Sequence, residues 1–147
     1  MMRISTKGRY GARLMLDLAV HYEDGYVLLK DVGKREEISE KYLEHLIPPL
    51  KAGGLISSKR GAQGGYKLTR DPSEITLKEV ILSLEGSISP AECVNFSSVC
   101  NRAQFCVTRD IWKELEDKIL EKLESITLKD MVEMKKEKGE VSLIYSI

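Results

Sequence analysis

This sequence of 147 residues is short of histidine, with only two, has no net charge and contains no long apolar run. Nothing in it approaches the ~18 consecutive apolar residues of a membrane span. The opening Met-Met-Arg-Ile-Ser-Thr-Lys lacks the apolar core of a signal peptide, so a cytoplasmic location and no membrane partner are expected. Two histidines leave little for acid–base catalysis, and no Ser/His/Asp set, paired acidic motif or nucleotide loop stands in the chain. It reads as a non-enzyme. Cysteine is scarce too: there are three, an odd number, all between residues 93 and 106. In a reducing compartment such a group points to metal or redox chemistry before structural disulfides.

With 42% hydrophobic residues, the chain can bury a real core. Its length suggests one domain, or a small module plus an appendage. The zero net charge hides an asymmetry. Residues 1–70 carry 13 Lys+Arg against 8 Asp+Glu, and residues 71–147 carry 10 against 15. A neutral total argues against a non-specific polyanion binder, whereas a basic front and an acidic rear fit a nucleic-acid-binding module with a different task behind it.

Apolar residues at Tyr10, Leu14, Met15, Leu18, Ala19 and Tyr22 have helical spacing. Glu23-Asp24-Gly25 ends that helix, Tyr26–Leu29 reads as a short extended stretch, and Lys30–Glu37 as a short second helix. Ser39 is a natural N-cap for a third helix over Glu40–Leu50, with Leu43, Leu46, Ile47 and Leu50 inward. Pro48-Pro49 predicts a kink or an early end near Ile47. Residues 55–60 and 66–68 read as two strands around the glycine-permitted turn Gly61–Gly65. Thr76 opens a further helix through Leu84, and 86–106 looks irregular. The recurrence of Ile111, Trp112, Leu115, Ile119, Leu123 and Ile126 predicts the longest helix, over Thr108–Ile126. A charged helical segment, Leu128–Lys138, follows. The expected division is a DNA-binding domain at 1–85, a cysteine-bearing loop at 86–107, a long helix with its successor at 108–138, and a tail at 139–147.

Three short helices and a glycine-tipped hairpin are the order of a winged helix-turn-helix, so the fold class is mainly α with a small β-hairpin wing. In such modules the third helix enters the major groove and the wing reaches phosphates or the minor groove. Ser39, Lys41, Tyr42, Glu44 and His45 at the start of the third helix all exchange hydrogen bonds, and Glu accepts from cytosine N4. Lys59 and Arg60, with Gly61 and Gln63 at the tip, suit a narrow electronegative minor groove. Lys7 and Arg9 are placed to hold phosphates. Taken one at a time, charges on a helix face are usually only solvated and a glycine-rich hairpin is usually only a turn; order and composition together carry the DNA reading.

The stretch from Met2-Arg3-Ile4-Ser5-Thr6-Lys7-Gly8-Arg9 to Gly11 resembles the opening of the IscR-type winged-helix regulators of the Rrf2 family. So do Ile38–Glu44, Ile47-Pro48-Pro49-Leu50-Lys51-Ala52-Gly53, the wing Ser57–Tyr66, Ile75–Ile81 and Ser125–Leu128. The resemblance covers roughly residues 2–135. It implies a homodimeric bacterial transcription regulator that binds a palindromic double-stranded DNA operator and dimerises through the long helix after the cysteines. In relatives, positions matching Ser39, Tyr42, Glu44, His45 and Arg60 lie at the DNA, and Pro48 belongs to the usual pattern.

Cys93, Cys100 and Cys106 are separated by six and five residues. Thiolates are the usual ligands of iron–sulfur clusters, whereas zinc sites favour tighter pairs and four ligands. Spacing alone leaves open a cluster, a redox disulfide or three ordinary thiols. The resemblance implies an iron–sulfur cluster, [2Fe-2S] or [4Fe-4S], and with it a repressor that senses iron–sulfur, redox or nitric oxide status; an iron held by oxygen or water would be easier to lose, which suits a labile signal. The resemblance also exposes a departure. Cluster-binding relatives place a histidine three residues after the third cysteine, and here Arg109 stands there, with no lone pair for iron. Nitric-oxide-sensing relatives bring a carboxylate from the partner's N-terminal segment, but the matching Lys7-Gly8-Arg9-Tyr10 has none. Asp110 or a non-protein ligand stands as the candidate, with Glu92, His21 and His45 the other nearby or rare donors. Relatives without a cluster regulate cysteine or sulfur metabolism, sometimes through a protein partner, and that alternative remains.

Overall fold

The computed structural model describes the backbone of residues 3–146 and the side chains of residues 3–140. Helix α1, Thr6–Val20, is capped by Ser5, whose hydroxyl accepts the Gly8 N–H. After a 3-10 turn at Tyr22–Asp24 come α2, Leu29–Glu36, and α3, Glu40–Ala52. Strands β1, Ile56–Lys59, and β2, Gly65–Leu68, pair antiparallel with Ile56 opposite Leu68 and Lys59 opposite Gly65. Then follow α4, Leu77–Glu85, a four-residue α5, Glu92–Asn95, α6, Val107–Glu124, and α7, Leu128–Ser146.

The periodic stripes of α1 to α4 converge on one core. Leu14 and Leu18 of α1, Val32 of α2, Leu43, Leu46 and Leu50 of α3, and Val80 of α4 are all fully buried. Each contributes roughly 1.5–3 kcal/mol of burial. Leu128, the first residue of α7, belongs to the same cluster. A buried ion pair ties α1 to α2: Asp17, 1% exposed, accepts from Arg35 Nε at 2.9 Å and from its terminal nitrogen at 2.8 Å. That hydrogen bonding, opposed by desolvation, raises the Arg35 guanidinium above its ordinary value.

The fold is mainly α with one hairpin, as the residue order predicts, and three local expectations are corrected. First, α3 does not end near Ile47 but continues through Pro48 and Pro49 to Ala52, stopping at Gly53 where the glycine pair marks the end of a further turn. The two missing N–H groups would have bonded the carbonyls of Glu44 and His45, two exposed residues, and an exposed carbonyl that loses its donor costs less than a buried one because solvent can reach it. Second, the extended stretch at Tyr26–Leu29 shrinks to a single bridge between Val27 and Tyr66, with N–H to O distances of 2.8 Å each way, because Leu29 already turns inward as the first residue of α2. Third, α7 does not stop at Lys138. At 19 residues it is the longest helix among the described residues, against 18 for α6. Gly139 costs a helix only about 1 kcal/mol, and the lysines and glutamates around it favour continuation.

Candidate nucleic-acid interface and cysteine segment

Burial splits α3 into two faces. Leu43, Leu46, Ile47 and Leu50 are inside, while Lys41, Glu44 and His45 are exposed together. Ser39 Oγ accepts the Tyr42 N–H at 3.1 Å, so this serine caps the helix and keeps its hydroxyl proton for an outside acceptor. Tyr42 is half-buried and meets Tyr10 of α1 edge to face, with centroids 5.5 Å apart at 84°. The ring therefore fixes α3 on α1 as well as bordering the exposed face.

The wing is built for backbone-close packing. Gly65 has φ +138°, and a Cβ there would run into the Val27 backbone; Gly61 has φ +107° at the tip. Lys59, Arg60, Gly61 and Gln63 are all exposed. Two cation–aromatic contacts orient the strands: Lys59 Nζ lies 5.7 Å from the Tyr26 ring and Lys67 Nζ 5.3 Å from that of Tyr22. Lys51, at the end of α3, donates to Ser58 Oγ at 2.7 Å and joins the helix to β1.

At the other candidate contact, Lys7 and Arg9 are exposed in the first turn of α1. Arg9 donates to Thr6 Oγ1 at 3.2 Å and lies over Tyr10. Arg3, which sequence reasoning passed over, joins them around a surface cavity of about 560 Å³. Its basic neighbours were the available signal. Gly8 and Gly11, also missed, let α1 approach α4, since side chains there would meet Glu85 and Leu84.

The cysteines lie on the stretch from α5 to the start of α6. Cys93 is half-buried in α5, Cys100 is exposed, and Cys106 is half-buried at the N-cap of α6. Cys106 Sγ lies 3.1 Å from Thr108 Oγ1. That hydroxyl first, then the Arg109 backbone N–H and the Arg102 charge, hold the Cys106 thiol below its ordinary value. Arg109 Nε donates to the Cys93 carbonyl at 2.9 Å, fastening α5 to α6. Asp110 is exposed in the first turn of α6, and Glu92 is exposed at the start of α5. Among the described residues, no three His, Cys, Asp or Glu side chains stand close enough to hold a metal ion. The donor set thus suits an iron–sulfur group in kind, with three thiols, but among the described residues the fold gathers neither the thiols nor a fourth ligand, and Arg109 is engaged with the Cys93 carbonyl.

Around this segment Phe96, Val99, Phe105, Val107, Ile111 and Trp112 are exposed, and no residue of α6 is buried within one chain. No described helix is long and apolar enough to cross a membrane.

An exposed helix face, a glycine-tipped hairpin beside it and a basic helix start define a winged helix-turn-helix DNA-binding regulator. The Rrf2 profile, described as an iron-dependent transcriptional regulator, matches residues 4–134, and the chain belongs to that family. It is 41% identical over 131 residues to the transcriptional regulator IscR of Photorhabdus laumondii, covering 89% of this chain and 79% of that protein. To the regulator CymR of Bacillus subtilis it is 38% identical over 144 residues, covering 98% and 99%. Among solved structures, CymR, the global cysteine regulator of B. subtilis, superposes with a TM-score of 0.76 at 40% identity, covering 91% of this chain and 98% of that one. The IscR of T. potens gives 0.76 at 42%, covering 92% and 90%. Members are regulators, not enzymes, and this chain is a DNA-binding transcription regulator of that type.

Proposed function

We propose that the chain is a homodimeric repressor whose hold on a palindromic operator is set by an iron–sulfur cluster on Cys93, Cys100 and Cys106. The observation that carries the DNA part is the two-faced α3, with Lys41, Glu44 and His45 exposed opposite a fully buried stripe. In this reading α3 reads base edges in the major groove, Arg60 and Gln63 enter the adjoining minor groove, and Lys7, Arg9 and Lys59 hold phosphates. Dimerisation through α6 is supported by its apolar stripe, which one chain covers only in part: Ile111 and Trp112 are exposed and Leu115, Ile119 and Leu123 half-buried. Two-fold pairing of that stripe gives two recognition helices and a palindromic site.

For the sensor, the support is three thiols at the foot of α6, one of them with enhanced thiolate character. Bound there, the cluster supplies a group sensitive to oxidants, nitric oxide and iron supply. A ligand shifts an equilibrium only by its differential affinity for two states, so the protein's part is a segment with two arrangements: the open one described above and one in which the thiols converge. Asp110 or a non-protein ligand takes the fourth position.

A second reading is favoured by the open arrangement itself and by the likeness to CymR along 98% of the chain. In it the same cysteines act as thiols, or through a protein partner, in regulating sulfur metabolism. One experiment separates them: anaerobic purification with iron and sulfide analysis and a visible spectrum, alongside selection of a binding duplex from a random-sequence pool. Stoichiometric iron and sulfide, lost on Cys→Ala at 93, 100 or 106, supports the cluster reading. A colourless protein that resists reconstitution yet selects a two-fold-symmetric duplex supports the thiol reading. Failure to select any duplex defeats both.

A further inference from the structure

Ser5 and Glu85 stand 80 positions apart in the chain and touch in the fold. The Ser5 backbone N–H donates to Glu85 Oε1 at 3.1 Å, and the Ser5 hydroxyl donates to the same oxygen. Ser5 Oγ in turn accepts the Gly8 N–H at 3.2 Å as the cap of α1. The space a Gly8 side chain would need is taken by Glu85 Oε1 and Ile4.

Electrostatics explain the pairing. The first turn of α1 holds no acidic residue, and Lys7 and Arg9 add positive charge to the positive end of the helix dipole, which locally disfavours the helix. Glu85 brings the missing carboxylate from the last residue of α4. For α4 that is the unfavourable end for an anion, so the contact with α1 is what stabilises it there. Immediately after Glu85, Gly86 at φ +76° turns the chain out of α4. Residues 87–90 then run past Ile4 and Ile119 of α6, around a cavity of about 430 Å³, towards Cys93.

We propose that Glu85 is a positioning residue for DNA binding: it holds the start of α1, and with it Lys7 and Arg9, against the phosphates, and couples that grip to the segment carrying the cysteines. The proposal rests on reading Lys7 and Arg9 as phosphate contacts. Glu85 itself touches no DNA.

The test is the salt dependence of binding to the duplex selected by the wild-type chain. Each phosphate contact contributes ~0.9 to the slope of log K against log salt, so Lys7→Ala/Arg9→Ala should lower the slope by up to about 2. Glu85→Ala should lower it by about 1 and weaken binding several-fold at low salt. Glu85→Gln, still an acceptor for Ser5 but without the charge, should restore only part of the loss. In the Lys7→Ala/Arg9→Ala background, Glu85→Ala should add nothing, because both changes remove the same contacts; an equal loss in both backgrounds overturns the proposal. An unchanged slope in Lys7→Ala/Arg9→Ala alone overturns the phosphate reading beneath it. Should Glu85→Ala not fold, Gly8→Ala displaces the carboxyl without removing it and should give the same slope. The coupling has its own readout by reciprocity: the duplex should change the rate at which maleimide alkylates the cysteines in wild type and leave it unchanged in Glu85→Ala. The same change in both proteins overturns the coupling.

Discussion

Thr76 and Thr127 face each other across an antiparallel bridge, and each opens the helix that begins at the next residue. Leu77 N–H donates to the Ile126 carbonyl at 2.8 Å, and Leu128 N–H to the Ile75 carbonyl at 2.9 Å. Each threonine also sits in a reciprocal box, Thr76 with Glu79 and Thr127 with Asp130. The helices α4 and α7 therefore start side by side, and the far end of α6 is returned to the winged domain.

The Thr127–Asp130 box should be visible in pH dependence. The Thr127 backbone N–H, then its hydroxyl, hold the Asp130 carboxyl below its usual value. A carboxyl depressed in the folded state adds stability that is present above its unfolded pKa of about 3.9 and is lost as pH falls through the lower folded value. Asp130→Asn should thus be less stable than wild type near neutrality, with the gap closing below about pH 4. Denaturant titrations at several pH values check this; a constant gap down to strongly acidic pH sinks it.

Arg35→Ala leaves the buried Asp17 carboxylate without its bidentate partner. Because the Arg35 head is partly solvated, the cost should fall near the lower end of the range for broken buried pairs, about 3 kcal/mol. Thermal unfolding should show it, while the salt slope of DNA binding in the remaining folded protein stays as in wild type.

Base-reading and phosphate-holding residues should separate in one data set. Glu44→Ala and His45→Ala should relax discrimination at particular base pairs by about 1–3 kcal/mol each. Lys59→Ala should instead weaken all duplexes alike and lower the salt slope by ~0.9. Binding measured on single-base variants of the selected duplex distinguishes them, and uniform effects from all three would refute the assignment of α3 as reader.

In the metal-free protein, Cys106 should react readily with iodoacetamide near neutral pH, since its lowered pKa enlarges its thiolate fraction. Thr108→Val, removing the largest cause of that shift, should slow Cys106 and leave Cys100 alone. Mass-spectrometric mapping of modified peptides reads each rate directly.

Much of the architecture could be read ahead because periodicity reports burial: the α3 stripe at Leu43, Leu46, Ile47 and Leu50 is inward as spaced. The run of α3 through Pro48 could be read only from the resemblance, not from the residue chemistry, because proline's effect is local whereas its tolerance depends on the burial of the carbonyls it leaves unpaired. Asp17 and Arg35 carried no signal, being two charges that only the crossing of α1 and α2 brings together. For the cysteines, spacing names the atoms available to a metal but not where a largely irregular segment folds them, and Arg109 gripping the Cys93 carbonyl is a contact no pattern encodes. The end of α7 was hidden because one glycine weakens a helix without stopping it.

Leu128 is buried in the same core as Leu14 and Leu46, and this bears on how the protein is made. A ribosome delivers the recognition helix and the wing long before residue 128, yet the domain that carries them closes its core only when that leucine emerges. A chain broken off before α7, by premature termination or by a protease, lacks Leu128 and the partly buried Met131 and Val132 that close the core beneath the recognition helix.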